Sequence, residues 1–212
     1  MFELGAGWGP WVTFAAKACL LRGKQDISIT GVEGQEESIS NIKEMLTING
    51  FRKDNSELVQ EYGNIKSKIM YGVVADKNGY VDFEVRPAVH FNSSILNSSS
   101  ASETKRVPSF TIESLIQEHD VVDYIHIDIQ GFEIPAIKAS INAMNEKVRF
   151  LLIGTHSRKI EGDLLELLLE NNWELLREFP CLFNYDITSF SNLVNHTHLD
   201  GAQFWKNSQI VL

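Results

Sequence analysis

Cysteine is scarce in this chain of 212 residues: Cys19 and Cys181 are the only two, far apart and without a cysteine neighbour. That spacing excludes a disulfide framework and the paired-cysteine knuckle of a zinc site, and leaves both as small buried hydrophobes. Basic charge is equally short. The chain has 19 Lys and Arg against 28 Asp and Glu, a formal charge of −9, and no cluster of Lys or Arg supplies the footprint that phosphate binding requires. A nucleic-acid partner is therefore not expected. Long apolar runs are missing too. Stretches such as 151–153 and 167–169 fall far short of the roughly 20 residues that span a bilayer as a helix, so no membrane partner is expected. The opening Met1-Phe2-Glu3-Leu4-Gly5-Ala6-Gly7 has neither the basic region nor the apolar stretch of a secretory signal, which makes the cytoplasm the expected compartment.

What is present has the balance of an ordinary soluble globular protein, with 43% hydrophobic and 22% charged residues, and the length suits one domain. Short apolar runs at 2–4, 27–32, 69–75, 124–129, 150–154, 174–179 and 202–205 alternate with amphipathic stretches. That alternation predicts βαβ units and an α/β fold around a parallel sheet. A helix is expected over 11–22, with Pro10 in its first turn and Gly23 as its stop; others follow around Ile39 to Asn49, Ile134 to Ile141 and 163–171. Asn78-Gly79 predicts a hairpin turn, hence an antiparallel excursion. Residues 86–106, Ser/Asn-rich from residue 92 onward, read as a flexible loop.

The strongest chemical signal is the run Gly5-Ala6-Gly7-Trp8-Gly9 between the first strand and the first helix. Glycines turn the backbone sharply and let a ligand approach it, and the helix that follows offers unpaired N–H groups. Glu33 stands 24 residues after Gly9, at the end of the second strand, where a carboxylate can accept both hydroxyls of a ribose. Together they predict a nucleoside-containing cofactor. Glycines at 5, 7 and 9 depart from the G-x-G-x-x-G of dinucleotide sites, which argues against a nicotinamide cofactor.

The chain resembles the FkbM-type S-adenosylmethionine-dependent methyltransferases, within the wider Rossmann-like methyltransferases. The resemblance rests on Glu3-Leu4-Gly5-Ala6-Gly7-Trp8-Gly9, on Val32-Glu33, and above all on Asp123-Tyr-Ile-His-Ile-Asp128-Ile-Gln-Gly131-Phe-Glu133. The last matches a family block of the form I-K-x-D-x-E-G-x-E, with His126 where Lys is frequent and Gln130 where Glu is frequent. Residues 74–79 and 108–115 fit the family's strand-turn and its short helix.

The resemblance implies a Rossmann-like three-layer αβα sandwich with a seven-stranded, mostly parallel sheet and an antiparallel edge strand. It implies S-adenosyl-L-methionine as cofactor, held by Glu3, Gly5, Ala6, Gly7 and Gly9 around its methionine and ribose portion, with Glu33 on the ribose hydroxyls. Ala75 and Asp76 border the adenine, and Asp128 faces the sulfonium and the acceptor. Residues 1–212 form a single such domain in this reading, without the N-terminal helical cap such enzymes normally carry.

Methyl transfer to oxygen requires removal of a hydroxyl proton, a task that suits a neutral histidine. His156, just past the fifth strand, is the candidate base and Asp128 its competitor. His126, Asp128, His156, His196 and His198 could converge on a divalent ion, but no zinc spacing is present and no metal is expected. Trp8 either covers the cofactor or packs beneath the turn. Arg86, Lys105 and Arg106 could form a local basic pocket. The expected reaction is O-methylation of a small hydroxylated acceptor, a sugar or other metabolite, with self-association into a homo-oligomer left open. A non-catalytic nucleoside-binding domain is the second reading and a dehydrogenase the third.

Overall fold

The computed structural model describes residues 1–24, 26–53, 59–62, 65–84, 104–183 and 197–210. The chain divides into two compact units, one of Met1–Val74 with Gly79–Ser109, the other of Ala75–Asn78 with Phe110–Leu212.

In the first unit the elements are β1 (Phe2–Leu4), α1 (Pro10–Leu21), β2 (Ile27–Glu33), α2 (Glu36–Ile48), β3 (Arg52–Lys53), β4 (Val59–Tyr62), β5 (Ile65–Tyr71), β6 (Val73–Val74), β7 (Gly79–Glu84) and β8 (Thr104–Phe110). Strand β2 lies between β1 and β5, parallel to both, and β4 and β3 extend the sheet antiparallel beyond β5. The helices bury their apolar faces in one cluster: Val12 and Ala16 of α1, and Ile39, Ile42 and Leu46 of α2, pack with Ile29, Ile65 and Ile69 of the strands. The helices α1 and α2 stop in the same way. Past the caps Arg22 and Asn49, Gly23 and Gly50 take φ of 63° and 92°. The N–H groups of Lys24 and Phe51 then reach back to the carbonyls of Cys19 and Leu46, both at 3.0 Å. A side chain would resist that left-handed turn, so glycine is the natural stop.

The apolar run expected over 69–75 is two strands, because the chain leaves the sheet at Gly72, where its pairing with β2 ends at Tyr71 opposite Glu33. Asn78-Gly79 is a turn but not a two-stranded hairpin, since β8 lies between β6 and β7 in a separate three-stranded sheet. Of the loop expected over 86–106, residues 86–103 lie outside the described residues. Thr104 to Arg106 instead belong to β8, paired antiparallel with Asp82 to Glu84 of β7.

The second unit contains α3 (Ile112–Ile116), β9 (Val122–Ile127), α4 (Glu133–Lys147), β10 (Val148–Thr155), α5 (Arg158–Glu170), β11 (Trp173–Phe179), β12 (Leu182–Phe183), β13 (Thr197–Leu199) and β14 (Gly201–Asn207). Strands β9 and β10 are parallel, and β14 runs antiparallel between β10 and β11. The expected seven strands are thus present, three in the first unit and four in the second, with antiparallel pairing as well as parallel. Ile125, Ile127, Leu151, Ile153 and Trp205 of the strands, with Ile137, Met144, Leu164 and Leu168 of the helices, are fully buried. Asn207 caps α4 from β14: its Nδ2 donates to the carbonyls of Asn145 and Val148, each at 2.9 Å. Ser157 caps α5, its Oγ accepting from the Ile160 N–H at 3.2 Å. Among the described residues no helix is long and apolar enough to cross a membrane.

Candidate functional site

The glycine loop of the first unit is built by hydrogen bonds to the end of β2. The N–H groups of Gly5 and Ala6 both donate to the Val32 carbonyl at 3.0 Å, and the Gly7 N–H donates to the Glu33 Oε2 at 2.8 Å. The other carboxylate oxygen of Glu33 accepts the Gln35 N–H at 2.7 Å. Gly5, Gly7 and Gly9 all have positive φ, from 54° to 82°. Gly9 caps α1, and a Cβ on it would stand 2.9 Å from Cγ2 of Ile42. Gly9→Ala thus combines a left-handed alanine with an overpacked contact and is expected to cost about 2–4 kcal/mol in urea denaturation. Gly23→Ala, equally left-handed but with nothing within 4 Å of its Cβ, costs only the backbone share; equal losses would refute the clash.

Glu3 and Glu33 are both buried. Burial is the main influence on Glu33 and raises its pKa; the N–H groups of Gln35, Gly7 and Gly34 oppose it, the Glu3 charge adds to it, and the result is about 7. Such a carboxyl changes charge in the physiological range, so its state responds to whatever binds beside it. A Cβ on Gly7 would meet nothing within 4 Å, which leaves the loop's crest open. An open crest beside an ionisable acceptor fits the hydroxyl-bearing ribose of a nucleoside cofactor. Trp8 is 40% exposed, so it does not pack beneath the turn.

In the second unit the residues after β9 turn sharply, with φ of 55° at Gln130 and 97° at Gly131. Strand β9 stops at Ile127, two residues earlier than the alternation predicts, and Asp128 stands just past its end. His156 follows the last residue of β10, Thr155. Its Nε2 lies 3.1 Å from Asp128 Oδ1 and 3.3 Å from Glu133 Oε1, while Nδ1 lies 3.4 Å from Asp200 Oδ2. The absent side chain of Gly154 makes room for Asp128, since a Cβ there would sit 3.1 Å from the Asp128 Cγ.

Burial, the largest single influence, pulls the His156 pKa down, but the hydrogen bonds and charges of Asp128 and Glu133 outweigh it and lift the ring to about 10. The imidazole is therefore charged at neutral pH, which corrects the neutral histidine expected from the sequence; the carboxylates of Asp128 and Glu133, both within 3.3 Å of Nε2, are the reason. Burial likewise pushes Asp128 up, and His156 more than reverses it, leaving Asp128 below the usual carboxylate range.

The two proposed catalytic residues are thus brought together, as are Glu3, the loop glycines and Glu33. Ala75 is buried, with its N–H on the Phe110 carbonyl at 2.9 Å, and Asp76 is exposed. His126 is buried on β9 and His198 exposed on β13, both outside the group formed by Asp128, Glu133 and His156; His196 lies outside the described residues. Of the three residues of the expected basic pocket, two are described. Lys105 pairs with Glu36 at 2.8 Å and Arg106 lies over the Tyr80 ring, so both charges are engaged, while Arg86 is outside the described residues.

Glu133 and Asp200 are the members that sequence reasoning missed. Glu133 had a signal, since it closes the block that begins at Asp123, and its Oε1 accepts the N–H groups of Ile129 at 3.2 Å and Gly131 at 3.1 Å. Asp200 had none, because only tertiary structure brings it to a histidine 44 residues earlier.

The model of the methyltransferase FkbM domain matches residues 5–177. A curated protein of Jannaschia sp. (strain CCS1), named "Putative methyltransferase", is 28% identical over 183 residues, which is 86% of this chain and 64% of that protein. The crystal structure of Methyltransferase FkbM from Methylobacillus flagellatus KT superposes with a TM-score of 0.57 at 15% identity, over 97% of this chain and 42% of the other. This chain therefore spans less than two thirds of the length of either. The structural likeness shows the fold, the Rossmann-like class implied by the sequence. With a match over most of its length, the chain belongs to the methyltransferase FkbM domain family.

Proposed function

We propose that this chain is an S-adenosylmethionine-dependent methyltransferase acting on a hydroxyl oxygen of a small acceptor, a sugar or another metabolite. The observation that carries the reading is the glycine loop clasped by Glu33 in a chain of this family. S-adenosylmethionine, bound there, supplies the methyl group. Glu33 accepts the ribose hydroxyls, and Glu3, Gly5, Ala6, Gly7 and Gly9 shape the loop around the rest of the cofactor. Ala75 and Asp76 border the adenine.

Asp128 takes the proton of the acceptor hydroxyl. Of the three clustered side chains it is the accessible one, at 38% exposed against 13% for His156 and 0% for Glu133. Its Oδ1 is aligned by Gln130 Nε2 at 3.0 Å and by His156. His156 is a positioning residue in this arrangement. An oxygen acceptor suits a carboxylate base, since the hydroxyl proton must leave during or after attack. The charge of −9 disfavours a polyanionic acceptor.

Isothermal titration with S-adenosylhomocysteine and with NADH tests the cofactor directly. Micromolar binding of the first alone is the expected result. Binding of NADH alone would replace the methyltransferase reading by a dehydrogenase. Binding of S-adenosylhomocysteine without methylation of any of a broad panel of hydroxyl acceptors would favour a non-catalytic nucleoside-binding domain.

A further inference from the structure

We propose that Asp128, Glu133 and His156 form a binding site for one divalent transition-metal cation. Their ligand atoms lie within 4.8 Å of one another. The His156 Nε2 is 3.1 Å from Asp128 Oδ1 and 3.3 Å from Glu133 Oε1. Metal bonds of about 2.0–2.2 Å place neighbouring ligand atoms about 3.0–3.5 Å apart, so both separations from the His156 Nε2 already match that spacing.

Two further observations point to a cation rather than to a closed ion pair. Glu133 is fully buried, and while its Oε1 accepts two backbone N–H groups, its Oε2 has no hydrogen-bond partner among the described residues. A buried carboxylate oxygen left so is costly unless something positive meets it. The second is Asp200, whose Oδ2 lies 3.4 Å from His156 Nδ1. A carboxylate on the far nitrogen is the usual device that fixes the tautomer and orientation of a metal-ligating histidine.

Two carboxylate oxygens with one imidazole nitrogen suit Mn²⁺, Fe²⁺ or Zn²⁺, in contrast to the all-oxygen sets of Ca²⁺ and Mg²⁺. On binding, the proton on Nε2 leaves to solvent and its lone pair goes to the metal. Three protein ligands, one of them half-exposed, leave positions open to water or a substrate oxygen. Such a cation would hold and polarise the acceptor hydroxyl, a role that rests on the methyl-transfer reading, whereas the site itself does not.

The test is titration of the chelator-treated, desalted protein with Mn²⁺, followed by calorimetry and by loss of the electron paramagnetic resonance signal of free Mn²⁺, with Zn²⁺ in parallel. One equivalent binding at micromolar affinity or tighter is expected. Asp128→Asn, Glu133→Gln and His156→Gln should each weaken it at least tenfold, and Asp163→Asn, on the exposed face of α5, should not change it. Melting curves identify any variant that fails to fold. Asp128→Asn, the most exposed of the three, keeps the test open if the buried variants unfold. Failure of both cations to bind the wild-type chain below millimolar concentration would overturn the proposal, as would binding unchanged in a folded Asp128→Asn. S-adenosylhomocysteine titrated into the same samples reports on the glycine loop, so failure of the cation site and failure of the cofactor reading are distinguishable.

Discussion

Glu33→Gln is expected to weaken S-adenosylhomocysteine binding by roughly 10²–10⁴-fold at pH 8, and to remove the pH dependence that the wild-type chain shows. The wild-type carboxylate offers lone pairs to two ribose hydroxyls, and hydrogen bonds to a charged acceptor are worth about 1.5–3 kcal/mol each. Glutamine loses the charge and turns an N–H₂ toward the N–H of Gly7 or Gln35, which are the present donors to Glu33. The sign of the pH effect follows from the pKa of about 7 in the ligand-free chain, raised by burial. Below that value Glu33 carries a proton that must leave before it can accept both hydroxyls, so affinity falls about tenfold per pH unit. Above it affinity levels off. Calorimetry from pH 6 to 8 on both proteins checks this. A flat wild-type profile, or a variant that binds as tightly as wild type, would remove Glu33 from the cofactor site.

Asp128→Asn is expected to lower turnover by roughly 10²–10⁴-fold, the usual contribution of a positioned base. Asparagine keeps the shape of the side chain, and its Oδ1 can still accept from Gln130 and His156, whose contacts measure 3.0 Å and 3.1 Å. What it loses is the negative charge, and with it the capacity to take a proton and its hold on a cation. The measurement is S-adenosylhomocysteine release with an acceptor that the wild-type chain methylates, alongside S-adenosylhomocysteine affinity on the same samples. A fall in turnover larger than any fall in affinity assigns Asp128 to the chemical step. Wild-type turnover in the variant would exclude it as the base.

The element order was legible because it depends on local periodicity. All seven apolar runs contain strands, and the amphipathic stretches between them hold the four main helices. The runs failed where a backbone decision overrides hydrophobicity. Gly72 splits one of them, and β8 enters its sheet although Pro108 reads as the start of a helix. The glycine loop was legible as well, since positive φ at three alternate positions leaves little choice but glycine.

Sequence alone therefore determined the α/β class, the loop at Gly5 to Gly9, its partner Glu33 and the pairing of Asp128 with a turn. These rest on neighbours in the chain, or on the parallel register that carries Glu3 opposite Gly31 and Leu4 opposite Val32. Only tertiary structure decided the charge state of the site. Glu33 is poised near neutrality because it is buried, and His156 is held charged because the turn after β9 and the first residue of α4 direct two carboxylates at one ring nitrogen. Electrostatic character depends on desolvation and on distances of about 3–4 Å between residues remote in sequence, and no spacing along a chain encodes either.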